Sequence, residues 1–171
     1  PDAAPGMTLI DSIVAQAPAI AQLRREIHAH PELCFEELRT AALVARKLAE
    51  WGIPTHQGMA QTGVIGIVHG RDGGAVVGKS GRAIGLRADM DALPMREHNR
   101  FAHASVFDGK MHACGHDGHV AMLLAAAQHF ATQRDFDGTV YLIFQPAEEA
   151  GCGAKVMVEE GLFERFPMEA V

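Results

Sequence analysis

The sequence is poor in several residue types at once. Its 171 residues include one tryptophan, one tyrosine and three cysteines, Cys34, Cys114 and Cys152. A sparse, odd cysteine count is not a disulfide framework, and it points to a reducing, cytoplasmic setting. No apolar run reaches the roughly 18 residues that a membrane-spanning helix needs. Fifteen Lys and Arg against 21 Asp and Glu give a net charge of −6. That acidic balance argues against nucleic acid or an anionic membrane as the main partner. Residues 1–7 carry neither the basic nor the apolar region of a secretory signal, and they read as a tag or disordered leader ahead of a domain spanning 8–171.

What is present is mostly ordinary: 48% apolar and 21% charged residues, in a length suited to one domain. Histidine is the exception, with ten residues, and it makes metal chemistry worth testing.

The chain then reads as alternating elements. Leu9, Ile13, Ile20, Leu23 and Ile27 fit one helical face, interrupted by Pro18, so two short helices or one kinked helix are expected before Pro31. A second helix is expected from about Glu36 to Trp51, with Leu38, Ala41, Ala45 and Leu48 inward and Gly52 at its end. Val64–Val68, Ala83–Ala88 and Thr139–Phe144 read as strands, the last as one buried on both faces. Gly70–Gly81 reads as a loop or hairpin. Gly118 to Thr132, with Val120, Leu123, Leu124 and Ala127 inward, and Gly153–Glu160 read as helices. The order implies an α/β fold, a layered α/β/α domain on a largely parallel mixed sheet.

Three clusters carry chemistry. The first, Met111–His119, packs one thiol, three imidazoles and a carboxylate into nine positions. Cys114 and His116, at i and i+2, project the same way from an extended segment and suit a shared metal ion. The helix that follows aims its positive end there, which is expected to lower a thiol's pKa. A polar loop with a structural cysteine, or a Cys–His nucleophile pair, are the other readings. The second cluster, Gln145–Glu149, follows a buried strand, where sites in α/β sheets lie. Of its adjacent Glu148 and Glu149, one could bind metal while the other activates water; the plain alternative is an acidic helix start. The third is Asp89-Met90-Asp91, at another strand end, as ligands, supporting partners or loop caps. All three fall near strand ends or helix starts, and their chemistry suits Zn²⁺ or Mn²⁺ more than Ca²⁺.

Other features get plainer readings. Gly73–Ser80 matches the phosphate-loop pattern G-x-x-x-x-G-K-[ST], but a strand follows where a helix is needed. A phosphate-binding-loop NTPase is therefore a remote alternative. His28 and His30 read as helix C-terminal residues, and Cys34 and Cys152 as structural thiols.

Four motifs in order carry a resemblance: Arg24–Leu33, Leu86–Pro94, Met111–His119 and Phe144–Glu149. Together they resemble the dinuclear metallo-amidohydrolases of the aminoacylase and carboxypeptidase superfamily, and within it the branch of hippurate hydrolase and indole-3-acetyl-amino-acid hydrolase. The resemblance covers about residues 8–171. It implies that Cys114, His116 and Glu149 are metal ligands, that Glu148 is the general base, and that Asp91 is an acid at the catalytic site. Asp89 stands where relatives carry a ligand histidine, and Ala150 where a glycine is usual.

The implied activity is hydrolysis of N-acyl amino acids by activated water, with two divalent ions, zinc or manganese, as cofactors. The implied partner is a small-molecule substrate, and the intact enzyme is expected to be a homodimer or higher. Relatives supply two further histidine ligands and an inserted dimerisation domain beyond the matched region. The expectation is thus an N-terminal portion of a catalytic domain, incomplete and inactive alone. The alternative is a non-catalytic metal-binding or regulatory module on the same fold.

Overall fold

A computed structural model describes residues 9–71 and 82–171. The leader at 1–7 and the phosphate-loop pattern at Gly73–Ser80 lie outside the described residues, as does most of the loop expected at Gly70–Gly81.

The first helix, α1 (Leu9–Ala29), is a single element that runs through Pro18. The proline removes the N–H that would reach the carbonyl of Val14. Val14 lies in a solvent-exposed part of the helix, where water can serve that carbonyl. Only the second half of the expected apolar face packs: Ile27 is buried and Leu23 lies against the core, while Ile13 is exposed.

Helix α2 (Leu38–Glu50) buries Thr40, Leu43, Val44 and Leu48. This corrects the expected stripe, because Leu38 is 70% exposed. The helix also starts later than the pattern suggests. Glu32, upstream, accepts from Arg39 N and Thr40 N at 2.9 and 2.8 Å and so caps the first turn. Gly52 adopts φ +69 after the last turn, and Ile53 N closes back on Leu48 O at 2.9 Å, as a left-handed helix end requires.

Among the described residues, four strands follow the order β1-β2-β4-β3. They are β1 (Thr55–Met59), β2 (Gly63–His69), β3 (Ala83–Asp89) and β4 (Thr139–Gln145). Strand β1 has no apolar alternation to announce it, and it is an edge strand made by hairpin pairing with β2. The mixed sheet is as expected, but its balance is not: of the three strand pairings among the described residues, β1–β2 and β2–β4 are antiparallel and β3–β4 is parallel. The hairpin supplies the antiparallel half, and a β–α–β crossover through α3 (His116–Thr132) supplies the parallel pair.

Alternation along β2 and β4 feeds two cores. Val64, Val68, Val140, Leu142 and Phe144 face α1, α2 and α3. Ile65, Tyr141 and Ile143 face α4 (Gly153–Glu159) and α5 (Leu162–Arg165), with Met157, Leu162 and Phe166. This is the layered α/β/α arrangement. The inward set expected on α3, Val120, Leu123, Leu124 and Ala127, is buried.

Candidate metal centre

Because β3 and β4 are parallel, their carboxyl ends lie together, with Asp89 opposite Gln145. The segments leaving these strands and the start of α3 meet there. Gly115 precedes α3 at φ +90, a conformation glycine adopts without strain, and it turns the chain from Cys114 into His116.

His116 is the hub. Its side chain is 2% exposed. Nδ1 lies 3.2 Å from Asp91 Oδ1, which leaves Nε2 facing the carboxylates of Asp89, Glu149 and Glu148 at 3.6, 3.7 and 3.9 Å. A carboxylate on one imidazole nitrogen fixes the tautomer and frees the other as a ligand. Asp91 also accepts from Glu149 N at 2.9 Å. Asp91 is 1% exposed and both its oxygens are engaged, one with His116 and one with the Glu149 backbone.

Among the described residues, two groups of donors come within ligand reach. Cys114, His116 and Glu149 have one donor atom each within 4.8 Å of one another, and so do Asp89, His116 and His119. His119 Nδ1 lies 2.6 Å from Asp89 Oδ1, whose other oxygen takes Arg87 Nη1 at 2.9 Å. Arg87 also donates Nε to Gln145 Oε1 at 2.8 Å, tying the two strand ends together.

The electrostatics favour a cation. Burial pulls the His116 pKa down, but the Asp91 contact and the charges of Asp89, Asp91 and Glu149 outweigh it, and the imidazole is raised above its ordinary value. Burial pushes the Asp91 carboxyl up, yet its contacts with His116 and with the backbone N–H groups of Glu149 and Glu148 bring it below the usual range. The Cys114 thiol is raised, first by its contact with Glu149, then by burial and the surrounding acids. This corrects the expectation of a lowered thiol: crowded carboxylates outweigh the start of α3. A thiolate here requires a compensating positive charge.

The residues fit a divalent ion on a further observation. Glu149 Oε1 is buried with no hydrogen-bond partner, and an orphaned carboxylate oxygen is costly unless a cation occupies its free side. Thiolate, imidazole and carboxylate together suit a borderline transition metal.

Sequence reasoning brought Cys114, His116, Glu148, Glu149 and Asp91 to one place, and the structure puts them together. It did not pair His119 with Asp89, although i, i+3 from His116 on a helix was a usable signal. His28 is more than a helix-end residue. It is buried between Asp117 Oδ2 at 2.8 Å and Glu97 Oε1 at 3.1 Å, and Arg24 shares Asp117 at 3.1 Å, so α1 and α3 are pinned beside the site. Of the two thiols read as structural, Cys34 is half-buried and Cys152 is exposed.

Comparison with known proteins agrees with this picture. The profile of peptidase family M20/M25/M40 matches residues 85–171. The chain is 46% identical over 165 residues to a hippurate hydrolase of Campylobacter jejuni, covering 96% of this chain and 41% of that protein. It is 48% identical over 145 residues to an IAA-amino acid hydrolase of Arabidopsis thaliana, covering 83% of this chain and 31% of the relative. Among solved structures, it is similar to a dinuclear metal binding peptidase from the M20 family of Bacillus subtilis, with a TM-score of 0.79 and 39% identity over 88% of this chain and 40% of that one. The chain thus spans less than half the length of these relatives.

Proposed function

The chain belongs to peptidase family M20/M25/M40, and from that premise we propose that it carries part of the active site of a metallo-amidohydrolase that cleaves N-acyl amino acids, hippurate-like amides among them. The observation that carries the reading is the orphaned Glu149 Oε1 facing the free nitrogen of His116 at 3.7 Å, with Cys114 completing the donor set. The names of the curated relatives support the substrate class.

In this reading Cys114, His116 and Glu149 hold divalent metal, zinc or manganese, in a two-ion centre. Bound ions would polarise the amide carbonyl and acidify the attacking water. Glu148 is the general base. Its side chain is 43% exposed at the mouth of the site, 3.9 Å from His116 Nε2, so it can reach a water molecule there. It takes the water's proton and returns it to the leaving amine. Asp91 keeps Nε2 of His116 turned inward, and Asp89 holds His119 and Arg87 around the rim.

The two donor groups share His116, whose Nδ1 is already engaged, so its one free nitrogen serves one ion. We therefore propose that these residues furnish donors for part of a two-ion site, and that this chain alone binds metal incompletely and does not turn over. The whole enzyme is proposed to be a homodimer or higher oligomer in a reducing, cytoplasmic compartment.

The test is metal content and hippurate hydrolysis, measured on this chain and on a complete enzyme carrying the same residues. In the complete enzyme Glu148→Gln is expected to retain metal and lose about 10²–10⁴-fold in turnover. Near-native turnover in that variant removes Glu148 from its role. A dinuclear, active preparation of this chain alone overturns the claim of incompleteness.

A further inference from the structure

Glu37 is a carboxylate with no surface: its residue is 0% exposed. It lies just before α2, far in sequence from the metal centre, and its two oxygens join three separate segments. Oε1 accepts from Phe35 N at 3.1 Å and from Ala147 N at 2.8 Å. Oε2 accepts the Thr62 hydroxyl, from the turn between β1 and β2, at 2.6 Å.

Ala147 is the residue before Glu148 and Glu149. It is completely buried and adopts φ +53, a left-handed conformation that a residue with a Cβ holds only when its surroundings impose it. Those surroundings are two hydrogen bonds. Glu37 takes the Ala147 N–H, and the Ala147 carbonyl accepts from Gly153 N at 2.9 Å. Gly153 itself sits where a Cβ would lie 1.8 Å from Pro146 O, so the segment is clamped tightly on that side. Two residues further, Asp91 takes the Glu149 N–H. The paired glutamates therefore hang between two buried carboxylates, Asp91 at the site and Glu37 beneath it.

We infer that Glu37 is a positioning residue for the Glu148–Glu149 pair, acting through the backbone of Ala147. The inference rests on the reading of Glu148 as base and Glu149 as ligand for its consequence, but its structural half stands without that reading. A carboxylate is suited to this task because one oxygen can accept two N–H groups while the other stays free for the Thr62 hydroxyl. Glutamine preserves the oxygen that holds Ala147. Aspartate keeps the charge and shortens the reach by one methylene, which withdraws that oxygen from Ala147.

The experiment compares native chain, Glu37→Gln and Glu37→Asp by amide hydrogen exchange and by Co²⁺ titration. In Glu37→Asp, exchange at Ala147 and Glu149 is expected to rise about tenfold, the loss of one buried hydrogen bond, and Co²⁺ affinity to fall about tenfold. Amides of the β2–β4 ladder are expected to be unchanged. Glu37→Gln is expected to stay within about threefold of native in both measurements, a rescue that bulk destabilisation would not produce. The inference is overturned if Glu37→Asp accelerates all amides alike, or if exchange at Ala147 and Glu149 stays native. Should the native chain not take Co²⁺ at all, the metal reading fails alone, and the exchange pattern still decides the role of Glu37.

Discussion

Phe144 and Gln145 are consecutive residues of β4, both buried, and they belong to regions built on opposite rules. From Val140 to Phe144 the strand packs into the two cores. At Gln145 and around the matching end of β3, buried polar side chains gather instead: Asp89, Asp91, His112, His116 and Asp117, with Met90 and Ala147 buried among them. Among the described residues, the buried side-chain atoms left without a hydrogen-bond partner belong to His112, Asp117 and Glu149, all at this end. The middle of the sheet gains free energy from every side chain it removes from water. The carboxyl end loses some of it by holding charges and orphans close together. Stability and chemistry are thus spatially separate, and substitutions should sort by region.

The largest effect on stability is expected in the middle. Phe144 is 0% exposed within the core beneath the site. Phe144→Ala is expected to cost about 3–5 kcal/mol, from lost burial and the cavity left behind, and to lower Tm by roughly 10 °C in a chain of this size. Glu148→Gln, beyond the divide and half-exposed, is expected to stay within about 0.5 kcal/mol of native. Urea and thermal melts of the two variants decide it. If Glu148→Gln proved the more destabilising, the separation of regions would be wrong.

The same divide explains what was legible in the sequence. The middle declares itself by pattern: Val64–Val68 and Thr139–Phe144 are short apolar runs that read as strands, the second as one buried on both faces, and the inward set on α3 follows helical spacing. The candidate donors were legible because thiol, imidazole and paired acids are conspicuous against strand ends. Less visible was whatever depends on tertiary partners. Thr55–Met59 has no apolar alternation and becomes β1 only by pairing with β2. Helical spacing alone puts Leu38 on the inner stripe of α2 with Ala41, Ala45 and Leu48, because the helix's neighbours cannot be read locally, and Glu32 resets the start of that helix from outside it. Glu37, one of two adjacent glutamates, carries no local sign that one is exposed and the other wholly enclosed. The balance of the sheet was missed for a related reason, since alternating elements suggest crossovers and do not reveal a hairpin.

A second, smaller effect should appear only at the carboxyl end. His112 is buried with neither ring nitrogen partnered, and burial above all pulls its pKa from 6.5 to about 4. The unfolded chain therefore binds a proton between these two values that the folded chain refuses. Stability is expected to be complete above about pH 6.5 and to fall as pH drops towards 4, by about 3 kcal/mol from this residue. His112→Leu removes both the titration and the orphaned nitrogens, and an apolar side chain of similar size is tolerated in such a place. Its stability, followed by urea unfolding from pH 7 to pH 4, should be flatter than that of the native chain by most of that amount. Parallel profiles would mean that the imidazole finds a partner and that this end is less strained than its orphans indicate.

The smallest effect sharpens the comparison at its boundary, because Glu37 is a carboxyl group buried outside the candidate metal centre. Burial raises its carboxyl above the ordinary value, against the opposing hydrogen bonds from Thr62, Ala147 and Phe35. A carboxyl with a raised folded pKa keeps its proton in the folded state at pH values where the unfolded chain has lost it. Its contribution is greatest below the unfolded value of 4.5 and declines as pH rises through the folded one. Glutamine cannot titrate. Relative to native, Glu37→Gln should therefore gain stability as pH rises from 4 to 7, with the two proteins converging in acid. The gain should be below that of the His112 substitution, since the three hydrogen bonds offset much of the burial. Paired urea titrations at pH 4 and pH 7 measure it. A variant that instead loses stability towards pH 7 would show that the negative charge itself is favoured there, and the line between a stabilising middle and a costly polar end would then have to be drawn around Glu37 as well.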